Sequence, residues 1–138
     1  MREVVTMSFP ASSEYVRVSR KALEVFLQTK GLDEADILMI VLGLNEAVAN
    51  VIEHTYKYDR SRYLVVTWEW EENECGRKIH IMLRDFGPKV DESKLVSRPL
   101  DELRESGLGL YLMRKAFDRV EFDRRVESGN LLHLEKRL

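Results

Sequence analysis

Cysteine is nearly absent from this 138-residue chain, where Cys75 is the only one. One thiol excludes a disulfide framework and a CxxC metal site, and it suits a reducing compartment. No apolar run of about 18 residues stands out and no charged-then-apolar leader opens the chain, so neither a membrane span nor secretion is expected. Charge of one sign is missing too. The 22 Lys and Arg face 24 Asp and Glu, a formal net charge of −2 at pH 7, whereas a nucleic-acid footprint would make such a domain strongly basic. Only three Pro and seven Gly occur, with no repeat, low-complexity tract or linker. The length suits one domain over 1–138, large enough to bury about 68–70% of its unfolded surface without a staple. What remains is a cytoplasmic domain of mixed helix and strand, binding neither nucleic acid nor membrane.

The pattern of apolar residues gives the elements. Val4 to Phe9 reads as a strand ended by Pro10. Tyr15, Val18, Ala22, Val25 and Phe26 then fall at helical spacing up to Lys30-Gly31. Asp33 is the expected N-cap of a second helix, with Ile37, Ile40, Val41, Leu44, Val48, Val51 and Ile52 as its apolar stripe. Arg62 to Glu71 and Lys78 to Arg84 read as a hairpin turned over Glu72 to Arg77, with Trp68 and Trp70 packing on helices. Lys89 to Ser106 has no clear period and reads as a long functional connection. A third helix is expected after Gly107-Leu108-Gly109, and Val120 to Val126 with Leu131 to Leu138 make a last hairpin. The order β-α-α-β-β-loop-α-β-β predicts an α+β fold: a two-layer α/β sandwich, its antiparallel-dominated mixed sheet carrying helices on one face. Helices are not interleaved with strands as a Rossmann domain requires.

Three segments could carry chemistry. On the second helix, Glu46, Asn50 and His54 are spaced i, i+4, i+8 along one edge beside the apolar stripe. A carboxylate, an amide oxygen and an imidazole there could hold a hydrated Mg2+ and activate a hydroxyl, although such an edge is also what an ordinary solvated helix face presents. Asp85-Phe86-Gly87 follows a strand end, where a carboxylate can accept from the exocyclic amine of a purine and a glycine allows close approach or a positive φ; alone, such a segment is usually just a turn. Ser106-Gly107-Leu108-Gly109-Leu110 leads into a helix, whose unpaired N–H groups would form an anion site. Neither GxGxxG nor GxxxxGK[ST] is present.

Taken together and in this order, Glu46-x-x-x-Asn50-x-x-x-His54-x-Tyr56, Asp85-x-Gly87-x-x-Val90-Asp91 and Ser106-Gly107-Leu108-Gly109-Leu110 resemble the N, G1 and G2 boxes of the GHKL (Bergerat-fold) ATPases. Within that superfamily the chain is most similar to the RsbW-type anti-sigma-factor serine kinases, from Pro10 to the final strand. The resemblance implies a histidine-kinase-like ATPase fold binding ATP and Mg2+. It makes Asn50 the metal ligand, Glu46 the catalytic base, and Asp85 the adenine-binding acid, with Gly87 letting the base lie close. Ser106, Gly107, Leu108, Gly109 and Leu110 would line the phosphate side with backbone N–H groups. Lys89 to Ser106 would be the lid, with Arg98 and Arg104 as phosphate contacts. His54 is expected to pack or hydrogen-bond beneath the metal residue. Two positions depart from the pattern: Lys89 replaces a second G1 glycine, and Asn130 stands where many relatives place an adenine-side Thr, as a candidate substitute.

Two functions of different class are consistent with these residues. One is an ATP-dependent serine/threonine protein kinase acting as an anti-sigma factor, phosphorylating a STAS-type anti-sigma-factor antagonist, binding a sigma factor, and forming a homodimer. The other is a non-catalytic ATP-binding module that sequesters a partner protein. The pairing of Glu46 with Asn50 favours the kinase, since a scaffold has no physical need of both.

Overall fold

The computed structural model describes residues 1–91 and 105–138, with the backbone alone over 105–110. The elements are β1 (Arg2–Pro10), α1 (Ser13–Thr29), α2 (Glu34–Asn50) continued by a π turn (Val51–Thr55), β2 (Tyr63–Asn73), β3 (Gly76–Asp85), α3 (Glu105–Ala116), β4 (Arg119–Phe122) and β5 (Asn130–Arg137). The strands form one sheet in the order β1-β2-β3-β5-β4. Among the described residues every pairing in it is antiparallel, so the expected α+β sandwich is built without a parallel component there.

Alternation on the strands sets the two layers. On β2, Leu64, Val66, Trp68 and Trp70 are buried, and on β3 so are Ile79, Ile81 and Leu83; their neighbours point the other way, as a period of two requires. Both tryptophans pack on a helix as expected. The ring of Phe26 from α1 lies 5.9 Å from that of Trp68 and 6.5 Å from that of Trp70, in tilted and edge-on geometries favoured by aromatic pairs.

Helix α2 is the core helix. The Asp33 carboxylate accepts from the Asp36 N–H at 2.8 Å, satisfying one of the donors left open at a helix start. Ile37, Ile40, Val41, Leu44 and Val48 are buried as expected. Within the helix and its π turn (Glu34–Thr55) an 18-residue window reaches a mean hydropathy of 1.7, long and apolar enough by composition to cross a membrane, which corrects the expectation that no such run exists. Here that apolar surface faces the sheet and α3. Gly43 makes the α3 contact possible, because a Cβ there would lie 2.5 Å from Phe117 Cε2 and 2.9 Å from Ala116 Cβ.

Helix α1 buries only part of the stripe its spacing suggested, with Ala22 and Phe26 packed against the core. Ser19, Leu23 and Leu27 are its buried residues, whereas Tyr15, Val18 and Val25 are exposed. Two apolar stripes share this helix, and the one containing Phe26's neighbours Leu23 and Leu27 is the one that meets the core. Helix α3 begins at Glu105, ahead of the expected start, so Gly107 and Gly109 lie within it. Strand β4 is only four residues. It ends early because the Asp123 carboxylate turns the chain, accepting from the Arg125 N–H at 3.0 Å and from its guanidinium at 2.9 Å and 2.8 Å.

Candidate active site

Glu46 and Asn50 sit one turn apart on α2, both half-buried at the margin of its apolar stripe. Directly after Asn50 the helix widens. The Tyr56 N–H donates to Val51 O at 2.8 Å, a five-residue step, and such single π turns recur at functional sites because they re-aim the side chains around them. The widening breaks the i, i+4, i+8 alignment after Asn50. His54 is therefore solvent-facing, 3.8 Å from Glu53 Oε2, rather than packed beneath Asn50 as expected.

Tyr56, which closes the π turn, ties this helix end to the segment after β3. Its buried hydroxyl donates to Tyr63 O at 2.6 Å and accepts from the Phe86 N–H at 2.8 Å. Burial pushes its pKa up, so it stays a neutral donor. Arg62 adds a second tie, with its guanidinium 5.0 Å from the Tyr56 ring centre and donating to Phe86 O at 2.6 Å. Gly87 has no positive φ. Its value here is space: a Cβ would fall 2.5 Å from Thr55 Cγ2 and 3.2 Å from Tyr56 Cε1. A bare backbone lets the Asp85–Gly87 segment lie against the end of the π turn.

Asp85 ends β3 as a buried residue, 2% exposed. Oδ1 accepts from the Gly87 N–H at 3.0 Å and from Asn130 Nδ2 at 2.9 Å. Burial raises its pKa above the usual carboxylate value, while the hydrogen bonds from Asn130 and Gly87 and the nearby Arg84 guanidinium hold the rise back. Asn130, paired across the sheet with Asp85, also donates to Pro88 O at 2.8 Å and accepts from the Val90 N–H at 2.8 Å. Gly129 makes this crossing possible. At φ +71° a Cβ would stand 2.2 Å from Asp85 O, inside the backbone of the opposite strand. Lys89 adds a hydrogen bond to Val126 O, and a cavity of about 410 Å3 opens beside Lys89, Val90, Asp123, Glu127 and Asn130.

These groups fit a nucleotide and a hard cation. A carboxylate so deeply buried, with both of its hydrogen bonds among the described residues on Oδ1, is an acceptor suited to an exocyclic amine. An amide oxygen and a carboxylate one helical turn apart are oxygen donors of the kind Mg2+ takes. Among the described residues no group of three His, Cys, Asp or Glu could hold a metal unaided.

The structure thus brings the Asp85–Gly87 segment against Thr55 and Tyr56, at the end of the π turn that follows Asn50. Ser106, Gly107, Leu108, Gly109 and Leu110 lie in the first turns of α3, whose far end packs on α2 at Gly43. Arg98 and Arg104 fall outside the described residues. Two residues were given no role, or only a substitute's role, by the sequence. Tyr56 belongs to the first motif without an assigned part. Asn130 was signalled by a turn glycine before it, but its three hydrogen bonds span up to 45 residues and are visible only in the fold.

Residues 9–136 match the family described as histidine kinase-like ATPase domain. The serine-protein kinase RsbW of Bacillus cereus strain AH187 is 29% identical over 127 residues, covering 86% of this chain and 76% of that protein. The RsbW of Bacillus thuringiensis subsp. konkukian strain 97-27 matches to the same extent. Among solved structures, the RsbU and RsbW domains of a Mycobacterium tuberculosis protein superpose with a TM-score of 0.68 at 21% identity, covering 99% of this chain and 32% of that one. This chain therefore spans about a third of that larger protein. The SiaB-SiaC complex from Pseudomonas aeruginosa gives 0.62 at 14% identity, with 97% and 89% covered. With the fold shared along its whole length and the match running from β1 to β5, the chain belongs to the histidine kinase-like ATPase domain family.

Proposed function

We propose that this kinase acts as a cytoplasmic anti-sigma factor: it binds ATP with Mg2+, phosphorylates a STAS-type antagonist on a serine or threonine, and as a homodimer holds a sigma factor until its antagonist releases it, regulating transcription. The kinase class follows from the family and from relatives that are themselves serine-protein kinases. The observation that supports the finer reading is the buried Asp85, held by Gly87 and Asn130, with Gly87 against the end of the π turn that follows Asn50.

The roles divide by chemistry. Asp85 accepts from the purine amine, which selects adenine over a 6-oxo base. Asn50 offers its amide oxygen to the ion, and backbone N–H groups at the start of α3 face the phosphates. When bound, Mg2+ would offset the negative charge of the phosphate oxygens. Glu46 takes the proton of the acceptor hydroxyl as the new O–P bond forms and the bond to the β-phosphate oxygen breaks, leaving ADP. Little else is needed, since phosphoryl transfer depends chiefly on positioning and charge.

The test is transfer of label from γ-labelled ATP to a STAS protein encoded beside this chain. Wild type is expected to transfer label, and Glu46→Gln to lose about 10²–10⁴-fold in rate while still binding ATP. Nucleotide binding without any transfer by wild type, across candidate acceptors, would instead make the chain a binding module.

A further inference from the structure

Asn130 is 4% exposed, and its side chain is almost fully committed. One amide hydrogen goes to Asp85 Oδ1 at 2.9 Å and one to Pro88 O at 2.8 Å, while its carbonyl accepts from the Val90 N–H at 2.8 Å. A carboxamide has two donor hydrogens, and both are spent inside the protein. The Gly87 N–H, the other donor near the Asp85 carboxylate, is also spent on Oδ1. Neither group has a hydrogen left for a ligand.

We propose that Asn130 is a positioning residue for base recognition: it does not touch the nucleotide, but locks Oδ1 of Asp85 and the Pro88–Val90 turn so that Oδ2 alone is presented as an acceptor. The proposal rests on the reading of Asp85 as the purine-facing acid. It replaces the idea that Asn130 stands in for an adenine-contacting hydroxyl. Selectivity then lies in one carboxylate oxygen, which favours a 6-amino purine and repels a 6-oxo one.

Geometry explains why an amide is needed. A hydroxyl at 130 could supply Asp85 with one donor, but could not also reach Pro88 O and Val90 N. A carboxylate would keep the acceptor for Val90 and lose both donors, placing a second acid against Asp85. Gly129 holds the residue in place, since only a position without a Cβ passes the Asp85 carbonyl. Among the described residues, the charged and titratable groups facing the Asp85 carboxylate are Arg84 on its own strand and Tyr56 at the end of the π turn.

Three variants, Asn130→Ala, Asn130→Thr and Asn130→Asp, are compared with wild type for binding of ATP and inosine triphosphate by calorimetry, with folding checked by thermal unfolding. Asn130→Ala is expected to lose about 10–100-fold in ATP affinity with the ATP-to-inosine ratio falling towards one. Asn130→Thr is expected to recover part of both. Asn130→Asp provides a readout that a packing role would not move. Its two carboxylates would share a proton, so its ATP affinity relative to wild type should rise as pH is lowered from about 7.5 to 5.5, when the shared proton again donates to Asp85. If Asn130→Ala does not fold, the isosteric Asp variant decides. Wild type that binds no ATP would overturn the reading of the site and this inference with it. Wild type that binds ATP, beside variants with unchanged base selectivity and an unchanged pH profile, would overturn this inference alone.

Discussion

Asp85 and Asn50 stand at two ends of the candidate site under opposite conditions. Asp85 is 2% exposed and accepts two hydrogen bonds on one oxygen, whereas Asn50 is half-buried at the end of α2 and its side chain makes no capping hydrogen bond. One end is assembled by the fold itself, through a glycine crossing, an amide clamp and a tyrosine tie. The other carries Glu46 and Asn50, the groups proposed to meet the acceptor hydroxyl and the ion. On the proposed roles, base recognition would be organised in advance, which limits the ordering cost of binding, and the ion and phosphates would complete the reacting end.

Gly129→Ala is the hardest blow to the preorganised end. The added methyl would meet Asp85 O at 2.2 Å with φ at +71°, and a loss of about 3 kcal/mol or more in unfolding free energy is expected by urea titration. An unchanged midpoint would mean that the crossing does not hold the site together. Next comes Asp85→Asn, which should weaken ATP binding by about 10–100-fold. It separates binding from stability as well. Burial raises the Asp85 pKa above its ordinary 3.8, so the folded chain prefers the protonated form. The stability tied to that proton is complete below the ordinary value and is lost as pH rises through the raised one. At neutral pH the charged carboxylate is therefore a cost, and unliganded Asp85→Asn should melt no lower than wild type at pH 7. A clear drop there would refute burial as the dominant influence.

At the open end, Asn50→Ala should remove only the Mg2+-dependent share of ATP affinity, about 10-fold. Equal weakening with and without the ion, measured in parallel titrations, would argue that Asn50 touches the nucleotide instead. The smallest effect belongs to His54→Ala. With an exposed ring beside Glu53, its stability should stay within about 0.5 kcal/mol of wild type and its ATP affinity should not change.

Much of this was written in the pattern of apolar residues. The period-two burial of Leu64, Val66, Trp68 and Trp70, and the stripe of α2, follow from geometry that any sequence reading can apply. Failures came where a sequence offers two answers or none. Tyr15, Val18 and Val25 make as good a helical stripe as Leu23 and Leu27, and only the sheet decides between them. The glycines at 107 and 109 signal a helix start, yet the helix already runs from Glu105. The π turn has no local signature, so the position of His54 could not be foreseen. Asn130 could be marked as unusual, but its hold on Asp85 is a contact between strands and has no counterpart in local spacing.

One glycine in the middle of α2 has a bearing on turnover. Position 43 lets Phe117 and Ala116 rest against bare backbone, so α2 and the end of α3 approach there more closely than any side chain would allow. One of those helices carries the acid and the carboxamide, and the other carries the amides proposed to face the phosphates. On those proposed roles, position 43 would be a shim between the two halves of the chemistry, a place where reaction geometry could be retuned without altering any group that reacts.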